Sequence, residues 1–418
     1  MPWTSCRRGS TITTLGRGRA SGSGPRAKRA APSCDCGTVR PRARSRSSTW
    51  SPSAGTVAPP SWYSDSMDRR PKPPCRLGCG LARSSVAGPR SERIPRVPAP
   101  PVVDVSIHDL GTLGGAVSQA KAVNPLGQVV GTSRDGLGRS RAFLWQEKVG
   151  IVDLNPLTGV HTSANDINAT GEIVGGGDTG FGEFHAYLLS EDTSLDLGTL
   201  GGNESEALAL NRLGQVVGHS RLRGAPAKHA FYIPQPGTMV DLGSLGGATS
   251  IAHDVNDHGD VVGLAETQVG QPHAFLWTAA RHMRDLGTLG APASIALGIN
   301  NCGAVVGGSG RAFLWTEQTG IVDLGTLGGR TSCANDVNEL GCVVGVSQTG
   351  HTDRRGLPVT HAFLRTPAGK MLDLGTLGGE HSSAAAISEE NGGVLWIAGH
   401  SHDTSAQVRA VLWAVRLA

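Results

Sequence analysis

The sequence predicts an all-β fold: a seven-bladed β-propeller closed by an N-terminal strand and preceded by a disordered leader. Three observations lead there. One motif recurs seven times at the spacing of propeller blades, each copy holds four short strand patterns, and the two ends of the array carry complementary fragments of one copy.

The motif is plainest as Asp-Leu-Gly-Thr-Leu-Gly-Gly at 109–115, 196–202, 323–329 and 373–379, with variants beginning at Asp153, Asp241 and Asp285. Successive starts lie 44, 43, 45, 44, 38 and 50 residues apart. The third copy shows the internal order: Asp196 to Gly202, Glu206 to Asn211, Gln215 to Gly218, His229 to Ile233 and Met239 to Leu242. Period-two alternation, glycine punctuation and β-branched or aromatic residues make the segments after the motif strands rather than helices. A composition of 60 glycines with 4% aromatic and 17% charged residues suits many short strands and tight turns.

Between the first two strands stands Asn-x-x-Gly, at Asn124 with Gly127, Asn168 with Gly171, Asn211 with Gly214, Asn256 with Gly259, Asn300 with Gly303 and Asn338 with Gly341. Asn closes an Asx-turn on its own backbone, and Gly accepts positive φ. The seventh copy has Ser388-Glu-Glu-Asn-Gly392 instead and is expected to turn differently.

Val102 to Leu110 supplies a fourth strand with no preceding three, and the last copy stops after Ala410-Val-Leu-Trp413 without its fourth. Joined, the two remnants make one complete blade and hide both open sheet edges.

Domain organisation follows as a leader over 1–101 and a propeller over 102–418. Residues 1–100 carry 19 Lys and Arg against 4 Asp and Glu, a balance of +15, whereas the rest carries 19 against 30, or −11. Runs such as Arg40-Pro-Arg-Ala-Arg-Ser-Arg46 cannot bury enough apolar surface to offset their ordering entropy. The leader shows no apolar export segment, no membrane span and no aromatic interleaving of a nucleic-acid module.

Cys6, Cys34, Cys36, Cys75 and Cys79 fall in the leader, and Cys302, Cys333 and Cys342 in the repeats, a distribution that suits neither a disulfide framework nor a zinc knuckle. No metal or cofactor is expected.

At Asp-Leu-Gly-Thr-Leu-Gly-Gly, Asn-x-x-Gly-x-Val-Val-Gly and His-Ala-Phe-Leu-Trp (273–277) the chain resembles the bacterial HAF-type extracellular repeat proteins. The resemblance spans about 105–418. It implies an extracellular or surface protein and transfers no catalytic residues.

A basic residue opens each third strand: Arg141, His185, His229, His273, Arg311, His361 and Arg409. Where that residue is His, three copies carry Asp in Asp-x-Asn, so hydrogen-bonded pairs Asp166 with His185, Asp254 with His273 and Asp336 with His361 are expected as structural ties rather than as a metal site. The recurrent Phe143, Phe231, Phe275, Phe313 and Phe363 and Trp145, Trp277, Trp315 and Trp413 are expected in the core. Asp178-Thr-Gly-Phe-Gly-Glu183 and Arg134 to Gly138 superficially suggest calcium loops but lack alternating oxygen ligands, so turns are expected.

Function is expected where copies differ, on loops carried by a rigid scaffold. The loop Ser347 to Thr360 is long and carries His351, Asp353, Arg354 and Arg355 as candidate binding residues. The leading expectation is a monomeric binding scaffold for a glycan or protein ligand. The alternative is a carbohydrate-active hydrolase or lyase with carboxylates at the propeller mouth, for which Glu204, Glu206, Asp353 and Glu380 break the repeat and are the residues to test. No G-x-S-x-G, HExxH or phosphate loop narrows the class.

Overall fold

The structure is a computed structural model describing residues 102–417 apart from 158 and 192. The leader, with its five cysteines, lies outside the described residues. Within them every regular element is a strand, and no helix is present.

The strands form four-stranded antiparallel meanders. The first comprises Gly114–Val123, Val129–Asp135, Ser140–Gln146 and Gly150–Asp153 in sequence order. Five more follow the same order, the second and third being joined by one parallel bridge between Phe184 and Glu204. The seventh orders Gly378–Ile387, Val394–Asp403 and Val408–Leu417, and then takes Val102–Asp109 as its fourth strand. That strand pairs antiparallel with Val408–Leu417, setting Ile107 opposite Trp413.

The glycine of Val-Val-Gly answers a bulge. Register slips between Ala252 and Asp254 on the first strand, and the bulged backbone crowds Gly263 on the second. A Cβ on Gly263 would stand 2.0 Å from the Ile251 carbonyl oxygen and 2.8 Å from the Phe275 ring. Any side chain there would displace backbone, so the position admits only glycine.

The recurrent aromatics are core, as their spacing predicts, except that Trp145 is only partly buried at the edge of its cluster. Phe143, Phe231, Phe275, Phe313 and Phe363 are fully buried, Tyr187 takes the same place in the second sheet, and Trp413 is fully buried in the seventh. Each buried aromatic contributes roughly 1.5–3 kcal/mol of transfer energy. The apolar clusters run between sheets, one of them joining Ala410 and Leu412 of the seventh to Phe143 of the first and Tyr187 of the second.

The seven-residue motif is a connector whose polar groups are nearly all used. In the third sheet Asp241 Oδ1 accepts the Gly243 N–H at 2.8 Å, and Gly243 sits at φ 72°. Ser244 donates to the Gly247 carbonyl at 2.6 Å, and Leu242 is buried.

Two chains of side-chain bonds tie each sheet to the next. Ser250 Oγ donates to the Gly243 carbonyl and accepts the Ala230 N–H of the preceding sheet at 2.9 Å. Equivalent bonds run from Ala142 to Thr162, Ala186 to Ser205, Ala274 to Ser294, Ala312 to Ser332 and Ala362 to Ser382. From the seventh sheet, Ala410 N donates to Ser118 Oγ of the first.

At the opposite end of the strands, Asn124 Oδ1 accepts the Leu126 and Gln128 N–H groups, the expected Asx-turn. Its amide nitrogen meanwhile donates to the Asn168 carbonyl of the next sheet at 3.2 Å. Asn168, Asn211, Asn256, Asn300 and Asn338 repeat this, each to the next copy. In the reshaped seventh turn, Asn391 donates to the Pro125 carbonyl of the first sheet at 2.9 Å.

Candidate functional site

The Asn turns carry their own unrepeated network of Arg212, Asp257, Asn301, Glu339 and Glu389. At the opposite end the second and third strands join and the seven-residue connectors begin. The expected Asp to His pairs are the first feature corrected there. His185 bonds Asp196 (2.8 Å), His273 bonds Asp285 (2.7 Å) and His361 bonds Asp373 (2.7 Å), and His229 does the same with Asp241. Arg141 and Arg311 hold Asp153 and Asp323 likewise, whereas Arg409 turns to Asp403. The partner is therefore the Asp of Asp-Leu-Gly on the fourth strand.

Register explains the difference. Asp166 lies opposite Val174, which lies opposite Leu188, three residues along from His185. Asp166, Asp254 and Asp336 instead bridge neighbouring sheets. Each accepts the N–H of its own following residue and that of the next sheet, at Leu210, Ile299 and Ile387. Burial and the carboxylates of Asp336 and Asp166 push the Asp254 carboxyl well above the usual range, against those backbone donors.

Glu204 and Glu206 lie two apart on Gly201–Leu210, within a charged network spanning the first three sheets. Glu204 is held by Arg221 (2.6 Å) and by Lys228. Lys228 also lies 3.2 Å from His219 Nε2. Glu206 accepts from Asn165 (2.9 Å) and Ser163 (3.2 Å), and Lys121 donates to Asn165 Oδ1 at 2.5 Å. Burial alone would raise both carboxyls. The cations outweigh it, Lys228 and Arg221 at Glu204 and Lys121 first at Glu206, and hold both below the usual range. Burial lowers the His219 pKa, opposed by the nearby Glu206 carboxylate. Lowered carboxyls favour the ionised form at both glutamates, the form that accepts a proton rather than donating one.

The segment Ser347 to Thr360 is mostly an extended hairpin. Strands Val343–Thr352 and Pro358–Arg365 pair out to Thr352 opposite Pro358, and only the tip turns. Ser347 is buried scaffold, bonded by Leu327 N. Asp353 forms the tip, its Oδ1 accepting Arg355 and Leu357 N–H at 2.8 Å, as Asp135 and Asp403 do in the tips of the first and seventh sheets. Those backbone donors, Leu357 first, hold the Asp353 carboxyl below the usual range. His351, Arg354 and Arg355 are exposed around it.

The hairpin carries Asp353 toward the seventh sheet. Oxygens of Asp353 and Glu380 and a ring nitrogen of His381 lie within 4.8 Å of one another. This donor set has the composition of a cation site, but the Thr360 N–H points at His381 Nδ1 (3.2 Å). The Nδ1 lone pair is thus engaged by the backbone N–H rather than directed at a cation. The His402 ring stands edge-on to His381 at 5.1 Å. His400 is pushed down to about 4 by burial and by His402.

The structure thus brings Glu204 near Glu206 and Asp353 near Glu380, as two separate groups. His219, His381, His402, Lys121 and Asn165 join these groups unforeseen. For His219 a signal lay in aligned copies, where Thr132, Leu264 and Val346 stand at its position, although His400 shares it, while Asn165 recurs as Asn335 and gave none.

Neither a protein-family model nor a curated protein sequence matches the chain. Among solved structures, a gluconolactonase from Xanthomonas campestris is 13% identical over 78% of this chain and 99% of its own, at a TM-score of 0.40. A protein of unknown function from Dyadobacter fermentans is 10% identical over 77% of this chain and 100% of its own, at 0.37. A β-xylosidase is 10% identical over 74% and 94%, at 0.27. No helix of the described residues is long and apolar enough to cross a membrane.

Proposed function

We propose that the seven sheets close into a single seven-bladed propeller, and that the chain is a HAF-type extracellular or surface repeat protein acting as a binding scaffold. Its ligand is a glycan or a protein, met by the loops at the end opposite the Asn turns. Support for closure comes from Ala410 bonding Ser118, Asn391 bonding Pro125, and Val102–Asp109 pairing with Val408–Leu417.

The observation that carries the functional reading is how the repeated polar residues are spent. Asp and Gly of the connector, Ser of the first strand, Asn of the turn and the His or Arg of the third strand all bond within or between sheets. What remains for a ligand is unrepeated and lies on loops, as expected of recognition on a rigid frame. The lowered carboxyls of Glu204 and Glu206 favour the ionised form, which weighs against either as the acid of a glycosidic cleavage.

A glycan and secreted-protein binding screen, run beside hydrolase and lyase assays, tests this. Binding without turnover is expected. Turnover lost in Glu206→Gln or Asp353→Asn would overturn the scaffold reading in favour of an enzyme.

A further inference from the structure

The second copy departs from the repeat twice. Its connector reads Asp153-Leu-Asn-Pro-Leu-Thr-Gly159, with Asn155 at φ 40° in the place of a glycine, and its second-to-third strand loop reads Thr179-Gly-Phe-Gly-Glu183. Both departures line one open cleft of about 480 Å³, together with His185 and Asp196.

Phe181 is 92% exposed at the tip of its loop. Gly180 and Gly182, at φ 84° and 85°, present the ring, and Thr179 N to Glu183 O (3.0 Å) and Phe181 N to Thr179 Oγ1 (3.3 Å) close the loop beneath it. Leu137, Val269 and Leu357 are also exposed on loops of other copies, but none offers an aromatic face. Across the cleft His185 is gripped from both sides, by Asp196 at Nδ1 (2.8 Å) and by Glu183 at Nε2 (3.4 Å). Ala227, Gln271 and Val359 stand at the Glu183 position in the other histidine copies, so the double carboxylate is particular to this cleft.

We infer that this cleft is a saccharide-binding site for an uncharged pyranose sugar. An exposed aromatic face stacks on the C–H face of a pyranose, and carboxylates accept bonds from adjacent hydroxyls. Glu183, about half exposed and unrepeated, keeps oxygen surface free beside its histidine contact. Asp196, also about half exposed, already accepts from Gly198 N and contacts His185, and adds negative charge at the cleft. The same two carboxylates repel an acidic sugar such as a uronate. This inference rests on the scaffold reading for the face involved, and is independent of the Ser347 to Thr360 hairpin.

The test is titration calorimetry of the full chain with gluco-, galacto- and N-acetylchito-oligosaccharides and with oligogalacturonate. It compares wild type with Phe181→Ala, Glu183→Ala and Arg354→Ala/Arg355→Ala. A neutral oligosaccharide is expected to bind, to weaken about tenfold in Phe181→Ala, and to bind unchanged in the arginine variant. Oligogalacturonate is expected to bind more weakly than the neutral sugars. Because Phe181 is exposed, its variant should melt with wild type, which separates lost binding from lost folding. Binding indifferent to Phe181→Ala but lost with Arg354 and Arg355 would overturn the cleft and keep the scaffold. Preference for oligogalacturonate would overturn the cleft. If no saccharide binds, the cleft falls and the scaffold reading is judged on protein ligands alone.

Discussion

The backbone N–H of Ala410 donates to the hydroxyl of Ser118 at 2.9 Å, across 292 residues of chain. It is the same bond that Ala230 makes to Ser250 between neighbouring sheets. Ser118→Ala removes that acceptor and the donor to the Gly111 carbonyl. We expect it to cost about 1–3 kcal/mol in chemical denaturation, matching Ser250→Ala. A negligible cost for Ser118→Ala beside a full cost for Ser250→Ala would mean that the seventh and first sheets are not joined in solution.

Gly263→Ala is expected to destabilise by about 2 kcal/mol or more, because its Cβ meets the Ile251 carbonyl at 2.0 Å. Gly270→Ala tests positive φ without crowding, since nothing lies within 4 Å of its Cβ. Thermal melts of the two variants should separate these effects, with Gly263→Ala the more damaging.

Asp373 ties the third strand of its sheet through His361 and caps Gly375 N. Burial would raise its carboxyl, but the His361 bond and the Gly375 N–H outweigh it and lower the pKa. A lowered carboxylate binds its proton more weakly folded than unfolded. Its stabilisation is therefore complete above the unfolded value near about 3.9 and is lost as pH falls through the folded value. Asp373→Asn keeps the cap and loses the charge, so it should cost about 0.5–1 kcal/mol at pH 6, the side chain being 44% exposed. The difference from wild type should close as denaturation curves are taken below pH 3.

His400, at about 4 in the folded protein, works in the same direction at higher pH. The unfolded chain takes up a proton near about 6.5, so stability falls as pH drops from there toward 4 and is fully present above it. His400→Val, the residue found at Val346 in the sixth copy, should flatten that stretch of the stability profile. An unchanged slope would show that His400 protonates freely in the folded state.

The fold was readable because its determinants repeat. Strand order, the Asx-turns at Asn124 and its equivalents, and the buried phenylalanines all follow from local chemistry seen several times over. Partner choice was less readable. Nothing in sequence spacing distinguishes Asp166 from Asp196 as the partner of His185, because the choice turns on a bulge between Ala164 and Asp166 and on register across three strands. The groups around Glu206 and Asp353 were half legible. Residues that break the repeat were visible, but that a hairpin extension would set Asp353 beside His381 of the next sheet depends on how sheets pack.

The closure of seven sheets through Val102–Asp109 is tested most directly by amide hydrogen exchange in the full chain and in a chain lacking 102–109. If that strand completes the seventh sheet, its removal should strip protection from alternate amides of Val408–Leu417, while Val261–Thr267 stays protected. Unchanged protection along Val408–Leu417 would contradict closure.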